Sequence, residues 1–298
     1  MLLIMDNSVE SSSSLFPVRL SVVLPVRNGE PYLRHQLRAL ASQQCSFPWE
    51  VIVVDNGSTD GSAETAKEFE GDLPNLQILS EPRRGKPYAL NAGIAVARGE
   101  LLVLVDADDE VGDGYLEAMG RALEKYELVS ASIDTKRLNP VWARAEIAPA
   151  DRLVLLLGFR IYVPGALIGI RSSACERIGG FATDLSMGED VDFTWRAQLL
   201  GITTGLAPDA ILHFRRPPDA WGNFRRARRY GRAFVRMYVR YRDLGQPRRG
   251  LGEFVGYVRW MLTEALRGGD HWQWTFAWWA GHLEGRLEES LRQRVWFP

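Results

Sequence analysis

Apolar positions along this chain gather into short β-branched runs, separated by helical stripes and ended by polar loops. Residues 19–26 (RLSVVLPV) make one such run before Arg27-Asn28-Gly29, which predicts a buried strand and a turn. Pro31 then opens a helix with Leu33, Leu37 and Leu40 on one face. A second run over residues 50–54 stops at Asp55-Asn56-Gly57-Ser58, and a short strand is expected near residues 76–79. Residues 83–97 start as a Gly-Lys-Pro loop and become helical around residues 90–96. A third strong strand, residues 101–105, ends in Asp106-Ala107-Asp108-Asp109. Strands alternating with helices predict an α/β fold, a mixed and mainly parallel sheet with helices on both faces. In such sheets ligands collect at the carboxyl ends of the strands. Three strands here end in polar loops, at Asn28, Asp55 and Asp106/Asp108, and their coincidence is the first functional signal.

Beyond residue 128 the pattern loosens. Residues 163–170 (VPGALIGI) are glycine-rich and apolar, Gly179-Gly180-Phe181 closes a helix, and Met187-Gly188-Glu189-Asp190 opens another carrying Phe193, Trp195 and Leu199. Residues 210–214 are strand-like and contain His213. The last third is helical. Residues 224–241 carry an aromatic stripe (Phe224, Phe234, Tyr238, Tyr241) beside an arginine stripe (Arg225, Arg229, Arg232, Arg236, Arg240). The final helical segment holds Trp272, Trp274, Trp278 and Trp279. The expected layout is a disordered leader over residues 1–17, a catalytic domain over 18–218 and a helical C-terminal extension over 219–298.

Charge and cysteine content narrow the classes. The 36 basic and 37 acidic residues nearly cancel, which argues against a nucleic-acid binder. The two cysteines, Cys45 and Cys175, are far apart and in no CxxC pattern, so neither a disulfide framework nor a cysteine zinc site is expected. A reducing, cytoplasmic setting follows, with peripheral attachment at the inner face of the membrane left open. No run reaches the ~18 apolar residues of a membrane-spanning helix.

Asp106 and Asp108 stand two apart at a strand end, so extended backbone would turn both carboxylates the same way. Paired carboxylates suit a hard cation, Mn²⁺ or Mg²⁺, that completes its shell with phosphate and water. The bland alternative is a helix N-cap beside a surface aspartate.

The order of the loops carries more than any one of them. Pro25-Val26-Arg27-Asn28, Val54-Asp55-Asn56-Gly57-Ser58-Thr59-Asp60, Arg84-Gly85-Lys86 through Asn91-Ala92-Gly93, and Asp106-Ala107-Asp108 resemble the donor half of the inverting glycosyltransferase family 2, with its Rossmann-like GT-A fold. Glu189-Asp190, with Trp195-Arg196 following, resembles that family's ED motif. The resemblance covers roughly residues 21–213. It implies that Asp55 accepts a hydrogen bond from the nucleotide base, with Pro25 and Val26 lining the base pocket beside Asn28. It implies that Arg84 or Lys86 meets base or diphosphate, that Asn91 belongs to the nucleotide-sugar site, and that Asp106 reaches the ribose or a metal-bound water. Asp108 would ligate the metal, Asp190 would be the general base, and His213 would be either a further metal contact or a satisfied core histidine. Gly165, Glu189 and Arg229 are candidates for acceptor or diphosphate contacts.

The implied activity is metal-dependent, inverting transfer of one sugar from a nucleotide-sugar, UDP-linked as a first guess, to an unidentified hydroxyl acceptor. The QxxRW motif of processive synthases is absent; Arg225-Arg226-Ala227-Arg228-Arg229 occupies a comparable place. Two alternatives remain at this level, a nucleotidyltransferase and a non-catalytic nucleotide-sugar binder. The arginine stripe reads as a solvated face, a diphosphate clamp or a lipid-headgroup contact. The tryptophans read as core, homo-oligomer contact or membrane belt.

Overall fold

The computed structural model describes residues 17–141, 152–217, 219–248 and 272–297, with scattered positions between 250 and 263. Most of the expected leader and part of the stretch before residue 152 lie outside the described residues.

Among the described residues, ten strands and eight longer helices follow in chain order: β1 (Leu20–Val26), α1 (Glu30–Ala41), β2 (Trp49–Asp55), α2 (Ser62–Lys67), β3 (Gln77–Ser80), α3 (Lys86–Val96), β4 (Leu101–Leu104), β5 (Glu110–Val111), α4 (Tyr115–Leu123), β6 (Leu128–Asp134), β7 (Val154–Leu156), β8 (Arg160–Tyr162), β9 (Ile168–Arg171), α5 (Ser172–Ile178), α6 (Glu189–Leu199), β10 (Thr204–His213), α7 (Ala220–Tyr241) and α8 (Trp272–Gln293). Eight strands form one sheet in the order β3-β2-β1-β4-β9-β6-β10-β5. Strands β3, β2, β1 and β4 are parallel neighbours, as are β6 and β10. Strand β9 runs antiparallel between β4 and β6, and β5 runs antiparallel at the β10 edge.

The period of two sorts the strand residues between the two faces. Val22 and Leu24 of β1 join Val51 and Val53 of β2 against Leu33, Leu37 and Leu40 of α1 and Leu116, Met119 and Leu123 of α4. Val23, Ile52 and Val54 point to the other face, against α3, α5 and α6. Both faces are thus dry, which is why these strands read as continuous apolar runs rather than alternating ones. Each of the three α1 leucines is fully buried, a gain of roughly 1.5–3 kcal/mol apiece before entropy is counted.

One charge sits inside this frame. Glu50 is buried and accepts from Ser21 Oγ (2.6 Å), Arg98 N (2.8 Å) and Gln77 Nε2 (3.0 Å). Burial works against its ionisation, but these donors and the Arg98 guanidinium outweigh it and hold the carboxyl below its ordinary value.

Sequence and structure differ mainly in the second half. Helix α3 begins at Lys86 itself, and β10 runs ten residues, longer than the segment around His213 suggested. The register of β10 on β6 shifts between Ala207 and Ile211, and that irregularity interrupts the alternation that periodicity would detect. The glycine-rich stretch after Val163 becomes a single 3₁₀ turn, Gly165–Leu167, feeding straight into β9.

The C-terminal helices cross at backbone distance. Gly281 and Gly285 of α8 lie against the Phe224 and Arg228 carbonyls of α7, and Gly231 lies against His282 and Arg286. Contact positions rise together along both helices, so α7 and α8 run parallel. Ion pairs continue in the same register: Arg228 with Glu284 and Glu288, Arg232 with Glu288, and Arg236 with the buried Glu289. Helix α7 also packs Val235, Met237 and Tyr241 on Trp195 and Val191 of α6, which ties the extension to the sheet domain.

Candidate active site

The polar strand ends do converge, but several of the predicted residues hold the loops together. Asn28, with φ 52°, accepts from Thr59 N (2.8 Å), and its own N–H donates to Ser58 Oγ. Asp55 accepts from Ser58 N (3.1 Å). Asn56, which the sequence did not single out, is buried and binds Glu81 O, Arg83 O and Gly85 N, stapling the second loop to the third. Asn91 is bidentate to the backbone of Phe181, accepting from its N–H (2.8 Å) and donating to its carbonyl (2.9 Å). Pro25 is half-buried, Val26 buried and Arg84 exposed on the rim.

The acidic loop is the chemical centre. Carboxylate oxygens of Asp106, Asp108 and Asp109 all lie within 4.8 Å of one another. Asp109 is 1% exposed; one oxygen accepts from Arg215 N (2.8 Å), while Oδ2 is buried with no hydrogen-bond partner among the described residues. A buried, unpaired carboxylate oxygen beside two more carboxylates is costly unless a cation completes it. Asp108 is open to the cleft yet ringed by protein; crowding and Asp106 push its carboxyl up, and burial with both neighbours pushes Asp109 well up. The donor set is all oxygen, which fits Mg²⁺ or Mn²⁺.

Two residues from elsewhere brace this loop. Buried Gln36 of α1 donates to Asp106 O (3.0 Å) and accepts from Val111 N (3.0 Å). Arg215, after β10, donates through Nε to Asp108 O (3.0 Å) and stacks on Tyr32.

Lys86 and Asp190 complete the cleft. Lys86 is ion-paired with Asp106. Burial opposes its charge, but Asp106, Glu189 and Asp190 outweigh burial and hold its ammonium above the usual lysine range. Asp190 opens α6 after Gly188, whose φ is 86°, so the helix N-terminus faces the cleft with its partial positive charge. Asp190 accepts from Tyr162 Oη (2.8 Å), Gly165 N (3.0 Å) and Val191 N (2.9 Å). A methyl at Gly165 would lie 3.4 Å from Asp190 Cβ and 3.5 Å from Lys86 Nζ, so Lys86 stands between the acidic loop and Asp190. Glu189 is buried, and burial plus the Asp190 charge push it up to about 7. Asp192, the third acid of the turn, is buried and held by Arg196, Arg240 and Tyr241.

Three expectations land elsewhere. His213 binds Asp134 through Nδ1 (2.8 Å) with Arg137 at Nε2 (3.3 Å), and the structure does not bring it into the three-aspartate group. Arg229 is exposed; its neighbour Arg226 turns inward, over Phe214 (5.1 Å) and near Tyr230, Asp108 and Asp109. Arg226 and Tyr230 are four apart on the α7 face that also buries Asn223 and Ala227, a signal the sequence did carry. Of the arginine stripe, Arg232, Arg236 and Arg240 are taken up by carboxylates. Trp274 is buried, Trp278 packs on Tyr230, and Trp272 is exposed.

A mainly parallel α/β sheet with an oxygen-only, cation-competent loop at its carboxyl edge and a carboxylate facing it across the cleft defines the GT-A class. Within that class the chain belongs to glycosyl transferase family 2, whose model matches residues 21–173. A second model, glycosyl transferase family group 2, matches residues 101–283 and so takes in α7 and most of α8. Among curated relatives, the glycosyltransferase AglE of Haloferax volcanii is 30% identical over 66% of this chain and 67% of its own length. A pre-mycofactocin glycosyltransferase of Mycobacterium tuberculosis is 27% identical over 76% of this chain and 49% of its own. The chain thus spans about half the length of that relative. Among solved structures, a Pyrobaculum calidifontis mannosyltransferase in complex with GDP-Man and Mn²⁺ superposes with TM-score 0.63 at 21% identity, covering 94% of this chain and 89% of that one. S. aureus TarS 1-349 in complex with UDP-GlcNAc gives TM-score 0.52 at 20% identity, covering 94% and 93%. These two likenesses concern the fold. Among the described residues no helix is long and apolar enough to cross a membrane.

Proposed function

We propose that this chain is a metal-dependent glycosyltransferase that moves one sugar, with inversion, from a nucleotide-sugar to an acceptor hydroxyl. The observation that carries the proposal is the orphaned Asp109 oxygen inside the three-aspartate group, set across Lys86 from Asp190. Asp108 and Asp109 would hold a divalent cation, which would supply electrostatic stabilisation of the departing diphosphate. Lys86 and Arg226 add positive charge on either side of that group, where negative charge grows toward the transition state. Asp55 accepts from a ring N–H of the base, for which uridine is our first choice. Asp190 takes the acceptor proton as the hydroxyl attacks the anomeric carbon from the face opposite the diphosphate.

Asp190 also separates this reading from a binding-only protein. A carboxylate aimed into the cleft by three donors, yet ion-paired to none of the described residues, is poorly explained by donor binding alone. Calorimetric titration of UDP and GDP, each with and without Mn²⁺, tests the donor half. The expected result is binding of at least one that needs Mn²⁺ and is lost in Asp108→Ala. Equal affinity without the metal, or an unaffected Asp108→Ala, contradicts the assignment.

A further inference from the structure

The two oxygens of Asp190 are not equivalent. Oδ2 accepts both the Tyr162 hydroxyl (2.8 Å) and the Gly165 amide (3.0 Å), which uses its two lone pairs. Oδ1 accepts one N–H, that of Val191 (2.9 Å), and keeps one lone pair. Tyr162 can only donate here: burial first, then the charges of Asp190 and Glu189 and the neighbouring Tyr230, hold its phenol well above its ordinary value. Its position is itself fixed. Tyr162 ends the β7–β8 hairpin, and Gln198 of α6 clamps the preceding residue, accepting from Ile161 N (3.0 Å) and donating to Ile161 O (2.7 Å). The hairpin and the helix that bears Asp190 are thereby locked about two turns of α6 away from the carboxylate.

We infer that Tyr162 is a positioning residue that turns Asp190 so that Oδ1 alone receives the acceptor's proton. The inference deepens the proposed function and rests on Asp190 being the base. In the step itself, the acceptor oxygen forms a bond to the anomeric carbon and its proton passes to Asp190 Oδ1. The bond from the anomeric carbon to the diphosphate oxygen breaks, and its electron pair leaves with the nucleoside diphosphate. The acceptor hydroxyl therefore enters on the Oδ1 side, away from the hairpin. The groups facing Asp190 are Glu189 on its own helix, Lys86 from α3 with Asp106 behind it, and Tyr162 from β8 with Tyr230 of α7 behind it. Tyr162, with the Gly165 amide, donates to Oδ2.

Deleting the Tyr162 hydroxyl removes a donor that favours the charged carboxylate and frees the side chain to rotate. The test compares wild type, Tyr162→Phe and Asp190→Asn across pH. The substrate is whichever UDP- or GDP-sugar gives the largest thermal shift with Mn²⁺, and hydrolysis to water is followed as nucleoside diphosphate release. Binding of the matching nucleoside diphosphate with Mn²⁺ reports that each variant is folded. Tyr162→Phe is expected to bind normally, to turn over roughly tenfold more slowly, and to show its acidic limb displaced to higher pH. A Tyr162→Phe enzyme with wild-type rate and an unmoved limb, beside an inactive Asp190→Asn, overturns the positioning role and leaves the base standing. Near-normal turnover by Asp190→Asn overturns both.

Discussion

The α7–α8 crossing offers a perturbation far from the chemistry whose size can be worked out beforehand. A Cβ added at Gly285 would lie 2.8 Å from the Arg228 carbonyl carbon and closer still to its oxygen, where ordinary contact begins at 3.4 Å. The helices must separate by at least 0.6 Å, the difference between those two distances, and both colliding groups are backbone that no rotamer can move aside. Such overpacking costs about 1–3 kcal/mol, and the upper half of that range applies here. Alanine also favours a helix over glycine by about 1 kcal/mol. Gly256→Ala isolates that second effect, because Gly256 is also helical and its added methyl meets nothing within 4 Å among the described residues. Gly285→Ala should therefore be less stable than Gly256→Ala by roughly 2–3 kcal/mol, because the helix-propensity gain is common to both, and that is a Tm difference of order 4–10 °C. Function should follow, because α7 carries Arg226 and Tyr230 to the acidic loop. Differential scanning fluorimetry of the two variants beside wild type decides the matter. If both variants melt together, the close crossing and the parallel packing argued from it are wrong.

Two further predictions concern charge. Glu189 titrates near 7 in the fold against 4.5 when free, so its contribution to stability is full below pH ~4.5 and lost as pH rises through about 7. Glu189→Gln has no such loss; urea unfolding at pH 5 and pH 8 should show it gaining about 2–3 kcal/mol on wild type between the two, and a constant difference would count against the buried site. Arg226→Gln should weaken Mn²⁺-dependent nucleoside diphosphate binding by roughly 10- to 100-fold, since a charge-assisted contact to phosphate contributes about 1.5–3 kcal/mol. Unchanged affinity by calorimetry would place Arg226 outside the diphosphate site.

Much of this was legible in the sequence, for physical reasons that also mark where legibility stopped. Strands β1, β2 and β4 are buried on both faces, so their apolar runs were continuous and their ends sharp. The loops at those ends stood out because polar residues followed directly. Strand β9 hid in a glycine-rich stretch because its antiparallel insertion between β4 and β6 is a tertiary choice. Gln36 and Asn56 were passed over because a buried amide has no local pattern; its partners lie in other loops. Sequence periodicity gives Asp109 no role, since the alternation that pairs Asp106 with Asp108 would turn it away. The backbone bends there instead, and brings all three together. The arginine stripe lies along α7, but what opposes Arg232 and Arg236 of it, Glu288 and Glu289 of α8, depends on a parallel crossing that periodicity does not encode.

The central claim is that Asp190 removes the acceptor's proton, and Asp190→Asn tests it most directly. Asparagine keeps the shape, and its carbonyl oxygen can still accept from Tyr162 and Gly165 in the place of Oδ2, while its amide group replaces Oδ1, gives up the Val191 contact and cannot take a proton. The measurement is the single-turnover rate of nucleoside diphosphate release, on protein shown by calorimetry to bind the same nucleoside diphosphate and Mn²⁺ as wild type. The rate should fall by roughly 10²–10⁴ with that binding unchanged. A folded, donor-binding Asp190→Asn protein that turns over within a fewfold of wild type would contradict the mechanism and favour a protein that only binds its nucleotide-sugar.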